Sequence, residues 1–235
     1  MAIVCQVRPT SVIVTLNGQT VVDWKGDPQQ LSVASNWVGP DKTRLFLYSV
    51  GGARFTRYEL LPPGGTPWPM PVAQTAAVAS APSKPGVRVN LLRLVDVKRD
   101  SIDKNWSFDG TALLEPLTDG SLSTLQFPAT PPTEYELRFL AEPDHSASGY
   151  FILGLVVDTS RVGFLVQYGQ TISSGLDALD GKKWSLNETT VMALPNLDKG
   201  KPIAVVCRVR PAARVIKLKG RRGGETTTLP PPLSG

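Results

Sequence analysis

Between Tyr168 and Thr190 the chain gathers Tyr168, Asp177, Asp180, Trp184 and Asn187, with Gly169, Gly175 and Gly181 spaced among them. Sugars are bound by an aromatic face laid on the apolar side of the ring and by Asp or Asn hydrogen bonds to hydroxyls, and this stretch carries both. Its lack of periodicity predicts a long loop, and long ordered loops on a rigid β scaffold are where binding sites concentrate. The alternative use of the same residues is architectural, with Trp184 as an amphipathic cover over a sheet edge and the polar side chains capping turns.

Other chemistries find little material. His145 is the sole histidine and stands in the polar turn Glu142-Pro143-Asp144-His145-Ser146. One histidine cannot assemble a zinc site, and Cys5 and Cys207 have no C-x-x-C spacing and lie in no Gly-rich nucleophile elbow. Asp177, Asp180 and Asn187 are oxygen donors within one region, but they lack the spacing of an EF-hand. No catalytic residue, metal or cofactor is therefore expected.

The chain has 235 residues, a net charge of +5, 21 Gly and 21 Pro, and no apolar run of membrane-spanning length. A β-type globular composition follows, with no membrane partner. The best positive cluster is Lys217, Lys219, Arg221 and Arg222, which reads as a solvated hairpin tip, so no nucleic-acid partner is expected. The opening residues Met1 to Cys5 lack the basic and apolar regions of a signal peptide, and nothing else points to a compartment. The two cysteines are expected as unpaired thiols.

The elements that must carry these residues are strands. One hairpin sequence appears twice: Ala2-Ile3-Val4-Cys5-Gln6-Val7-Arg8-Pro9 followed by Val12 to Gly18, and Ala204-Val205-Val206-Cys207-Arg208-Val209-Arg210-Pro211 followed by Val215 to Gly220. The copies align without a gap. Asn17-Gly18 is a two-residue turn leading into Thr20 to Trp24, and further strands are predicted at Arg44 to Ser49 and Ala53 to Leu60. From Pro62 to Gly86 periodicity gives way to Pro, Ala and Gly, a linker composition. Strands resume at Val87 to Val95 and recur at Trp106 to Phe108, Ala112 to Leu114, Ser123 to Phe127, Tyr135 to Leu140, Tyr150 to Val157 and Val162 to Tyr168. A turn of helix is the only helical element expected, between Asp96 and Asp103.

The succession Tyr135-Glu136-Leu137, Leu153-Gly154-Leu155-Val156, Ser174 to Gly181, Asn187-Glu188-Thr189-Thr190 and Val205 to Arg210 resembles the concanavalin A-like lectin/glucanase domains, in particular those of bacterial multidomain proteins. The parts that close that family's domain stand here at the other end, as Asn17-Gly18-Gln19, Asp23 to Asp27, Leu45-Phe46-Leu47 and Arg54 to Pro62. The resemblance implies an all-β antiparallel jelly-roll sandwich in circularly permuted order. Residues 1–62 would supply its C-terminal strands, 63–86 a linker, 87–220 its N-terminal and central strands, and 221–235 a flexible tail. Two truncated tandem copies are the alternative, but each piece alone would leave a raw sheet edge.

A retaining glucanase of this type would set carboxylates on alternate residues of one strand, flanking the scissile bond. No Glu-x-Asp-x-Glu run is present; Glu134 and Glu136 are two apart, and outward-facing polar alternation accounts for them. A non-catalytic carbohydrate-binding or interaction module of that type is therefore expected, with Tyr168, Asp177, Asp180, Trp184 and Asn187, singled out by residue type, as its ligand-binding residues. The alternatives are a glycosidase-like hydrolase acting on a polysaccharide or disaccharide derivative, and a structural spacer. A monomer is expected, with a domain-swapped dimer as the alternative. Because the repeated strands cannot share one slot, Val12 to Leu16 should pair with Val21 to Trp24 inside the sheet. Residues 203–209 should pair with the strand upstream, leaving Val215 to Lys219 at an edge or frayed.

Overall fold

A computed structural model of the chain describes residues 2–6, 10–34, 39–61, 88–103, 105–115, 123–143, 149–168, 173–192, 202–210 and 215–219. The expected linker (63–86) and tail (221–235) lie outside the described residues, as do His145, Arg221, Arg222 and the side chains of Cys5 and Tyr168.

The fold is all-β, with two large antiparallel sheets packed as a sandwich. The larger sheet follows the order Gln19–Gly26, Thr10–Leu16, Ile203–Arg210, Tyr135–Pro143, Ala53–Leu61, Leu113–Glu115 and Ser107–Phe108, with Val89–Asn90 pairing beside Ala53–Leu61. The second sheet runs Ser123–Gln126, Phe46–Val50, Gly149–Val157, Ser160–Tyr168, Ser173–Leu176 and Val191–Met192. Both sheets thus combine strands that precede the Pro/Ala/Gly-rich stretch in sequence with strands that follow it.

In the larger sheet the two-residue period of a strand sends alternate side chains to opposite faces. Val12, Val14 and Leu16, Val205, Cys207 and Val209, and Tyr135, Leu137 and Phe139 point inward and are buried. The intervening positions carry ion pairs on the outer face, among them Glu136 with Arg138 and Arg208. Between Phe55 and Tyr58 the parity changes, because the ladder to Tyr135–Pro143 slips there: Arg57 faces Leu140 and Phe55 faces Ala141. This bulge absorbs the successive polar residues Thr56 and Arg57 and returns Tyr58 and Leu60 to the core.

The core between the sheets is rich in rings. Phe139 lies 5.3 Å from Phe55 and 5.1 Å from Phe151 of the facing sheet, and Tyr58 stacks on Phe127 at 4.1 Å. A polar tether crosses the same space. The Tyr135 hydroxyl donates to the Val156 carbonyl and accepts from the Val156 amide, both at 3.0 Å.

The two copies of the repeated hairpin occupy the places expected from their sequences, with one difference. Thr10–Leu16 pairs with Gln19–Gly26 through the Asn17-Gly18 turn, both of whose residues have positive φ, and Ile203–Arg210 pairs with Tyr135–Pro143. Neither copy closes on itself. Thr10–Leu16 takes Ile203–Arg210 as its other neighbour, and Ala2–Gln6 takes Val215–Lys219 in a separate two-stranded ladder.

Two local expectations are corrected. The run Val87 to Val95 is a strand only at Val89–Asn90, because the Asn90 side chain accepts from the Leu92 amide and starts a 3₁₀ turn at Leu91–Leu94. The expected turn of helix forms at Val97–Asp100, capped by Asp96, with 3₁₀ turns besides it at Pro28–Gln30, Leu91–Leu94 and Trp184–Leu186. The stretch 168–190 is not one long loop, since it contains the strand Ser173–Leu176 and a small hairpin, Ala178–Leu179 with Lys182–Lys183.

Candidate functional site on the second face of the smaller sheet

The smaller sheet buries apolar side chains on both faces. Leu45, Leu47, Phe151, Leu153, Phe164 and Val166 join the main core, while Phe46, Tyr48, Ile152 and Leu165, at the alternate positions, form a second cluster. By strand parity this second cluster lies on the sheet's far side. Its rim is made of Val33, Ala34, Val50, Tyr150 and Trp184, all half-buried. Tyr150 stacks on Tyr48 with ring centroids 5.9 Å apart and an interplanar angle of 24°.

The floor is shaped by glycine and arginine. A Cβ at Gly154 would stand 1.9 Å from Phe46 Cδ1, so only glycine admits that ring against the backbone. The Arg161 guanidinium sits 5.2 Å from the Phe46 ring centroid and donates to the Asp41 carbonyl at 2.9 Å. Arg161 is buried, which pulls its pKa down, with the charge of Asp41 acting in the opposite sense. It fastens the segment around Asp41 to the sheet.

Of the predicted binding residues Trp184 packs on this cluster, and the others have differing roles. Asp177 follows Ser173–Leu176, and its amide donates to the Gly163 carbonyl at 2.7 Å. Its carboxylate is buried and accepts from the Ala34 amide at 2.8 Å. Burial raises its pKa to about 6, with the Ala34 hydrogen bond opposing. Asp180 and Gly181, with φ of 51° and 71°, form the turn between Ala178–Leu179 and Lys182–Lys183. Leu31–Ser32 adds a third strand to that hairpin. Asp180 is exposed, and its Oδ2 accepts from Gln30 Nε2 at 3.1 Å.

Trp184 opens the 3₁₀ turn Trp184–Leu186 and leans on the second cluster, while the Thr190 hydroxyl donates to its carbonyl. Asn187 is buried and engaged at both ends of its amide. Nδ2 donates to the Leu176 carbonyl at 2.8 Å, and Oδ1 accepts from the Thr189 amide at 3.0 Å. Asp177 and Asn187 thus bind backbone, whereas Asp180 and Trp184 keep accessible surface. Tyr168 ends the strand Ser160–Tyr168 opposite Gly149. Sequence reasoning missed Tyr48 and Tyr150. Their signal is the run Phe46-Leu47-Tyr48 and the run Tyr150 to Val157, where apolar residues at consecutive positions require cover on both faces.

One further acid has an unusual environment. Glu115, at the end of Leu113–Glu115, is buried, and its Oε2 accepts from the Ser49 hydroxyl at 3.1 Å and the Gly52 amide at 2.9 Å. Burial outweighs these bonds and raises its pKa to about 7. Glu134 and Glu136 are drawn to arginines on the outer face of the larger sheet, Glu134 to Arg210 at 3.8 Å and Glu136 to Arg208 at 2.8 Å.

Among the described residues no group of three or more His, Cys, Asp or Glu comes together as a metal site, and no helix is long and apolar enough to cross a membrane. Cys207 is a free, buried thiol. Comparison with protein-family models, with curated proteins and with solved structures finds no match to this chain.

Proposed function

We propose that the chain is a non-catalytic carbohydrate-binding module of the concanavalin A-like lectin/glucanase type, its jelly-roll strands in circularly permuted order. The observation that carries the reading is the second apolar cluster, whose rim offers the half-buried rings of Tyr150 and Trp184, while the exposed carboxylate of Asp180 stands four residues before Trp184 in the turn of its hairpin. Aromatic faces match the apolar side of a pyranose ring, and a carboxylate accepts hydrogen bonds from its hydroxyls. Asp177 and Asn187 act one step back, Asp177 holding the Ala34 segment of the rim and Asn187 tying the turn after Trp184 to Leu176. The permuted order is supported by the seam at which Ile203–Arg210 lies between Tyr135–Pro143 and Thr10–Leu16.

A glycan array probed with the unsubstituted chain, Tyr150→Ala and Trp184→Ala tests the proposal. Binding to at least one glycan class, weakened about fivefold or more by either substitution, is the expected result, since losing a stacked ring costs on the order of 1 kcal/mol or more. Absence of binding across the array, or binding that neither substitution alters, overturns it, and release of new reducing ends would favour a hydrolase instead.

A further inference from the structure

The repeated hairpin is paired crosswise, and the two resulting ladders are the same ladder. Adding 202 to each residue of the first copy gives its counterpart in the second, so Ile3 corresponds to Val205, Cys5 to Cys207, Val14 to Ile216 and Leu16 to Leu218. Inside the sandwich Val205 faces Leu16, Cys207 faces Val14 and Arg208 faces Ile13. In the terminal ladder Ile3 faces Leu218, Cys5 faces Ile216 and Gln6 faces Val215. Every one of these pairs in the second ladder is the counterpart of a pair in the first.

The settings differ. The inner ladder is flanked on both sides by further strands and buries Cys207, Val205 and Val14. Among the described residues the terminal ladder is a sheet of two strands alone. An isolated two-stranded ladder is marginal in water, and both of its outer edges present unpaired backbone groups. Its two strands also come from opposite ends of the sequence, joined to the sandwich through residues 7–9 on one side and 211–214 on the other.

We propose that the Ala2–Gln6 strand of one chain pairs with the Val215–Lys219 strand of a second copy of this chain in that same register, joining copies head to tail. The contact formed between chains is identical to the one formed within a chain, so exchange costs no pairing and is governed by concentration against the effective concentration of the tethered partner. The interface is heterologous, since each copy offers a different strand at each end, and it propagates as an open array or closes as a ring. Recognition rests on backbone hydrogen bonds, with register set by the repeated sequence.

The test uses Cys5, which faces Ile216 across the terminal ladder. The Ile216→Cys chain is prepared with natural isotopes and with nitrogen-15, mixed, oxidised over a range of concentrations and digested for mass spectrometry, with Lys217→Cys as the register control. The expected result is a disulfide from Cys5 to the thiol introduced by Ile216→Cys that joins light and heavy peptides, its share rising with protein concentration, and no comparable crosslink in Lys217→Cys. Crosslinks confined to peptides of one isotope at every concentration overturn the proposal. So do a missing crosslink in Ile216→Cys and an equal crosslink in Lys217→Cys. Light scattering of the unsubstituted chain gives an independent reading: mass that grows with concentration supports head-to-tail pairing, and a constant monomer mass refutes it.

Discussion

The amide of Ala34 donates to Oδ2 of Asp177 at 2.8 Å, joining segments 143 residues apart in sequence. Asp177→Ala leaves that amide without its acceptor and should cost about 1–3 kcal/mol. Asp177→Asn keeps an acceptor and removes the buried charge, so it should cost less at a pH where the carboxylate is ionised. Urea denaturation of the three proteins checks the order, and an alanine variant as stable as the parent would deny the bond its role.

The phenol of Tyr135 bridges to the facing sheet through the two backbone groups of Val156. Tyr135→Phe preserves the ring in the core but strips both groups of their partner. A loss of about 1–3 kcal/mol is expected, with no change in the denaturant slope, because the surface exposed on unfolding stays the same.

Stability should fall as pH rises from the ordinary carboxylate range to about 7. Glu115 holds its proton in the folded chain up to about 7, raised by burial from an ordinary value of 4.5, and Asp177 holds its own up to about 6. Through that interval the folded state binds more protons than the unfolded one, so raising the pH favours unfolding. Carboxylates with lowered pKa, such as Glu136 between Arg138 and Arg208 despite its desolvation, act in the opposite direction at lower pH. Glu115→Gln should flatten the decline, measured as the denaturation midpoint from the acid side of that interval to its upper end. An unchanged decline would place the cause elsewhere.

Cys207 should resist alkylation in the folded protein. Burial pushes its thiol pKa well above the usual range, and only the thiolate reacts. Peptide mapping after iodoacetamide treatment should find Cys207 modified only when the larger sheet opens, with urea restoring full reaction. Rapid modification under native conditions would contradict its inward position opposite Val14.

Much of this arrangement was legible in the residues. Val12 to Leu16, Tyr135 to Phe139 and Val205 to Val209 alternate apolar and polar cleanly, and Asn17-Gly18 specifies its own turn. The strand Ser173–Leu176 was not legible, because Ser173-Ser174-Gly175 lacks the β-branched residues that announce strands. Gly175 works there by lacking a side chain, since a Cβ would meet the Thr190 Cα at 3.0 Å. The crosswise pairing was hidden for a different reason. Two nearly identical strands offer the same partner chemistry, so local sequence cannot choose between them. At the candidate site Trp184 and Asp180 were singled out from residue type, but Tyr150 needed the second apolar face of the smaller sheet to be seen.

The position of Ile203–Arg210 between Thr10–Leu16 and Tyr135–Pro143 also sets a timetable for synthesis. As the chain leaves the ribosome, the Thr10–Leu16 and Gln19–Gly26 hairpin has no place in the larger sheet until Ile203 and its neighbours emerge. At about 5–20 residues per second, that wait is on the order of ten seconds or more. Throughout it one edge of the hairpin stands open to any strand that fits, joined by the facing edge of Tyr135–Pro143 once that strand has emerged. The strand that completes the sandwich is therefore also the one that ends its period of exposure during translation.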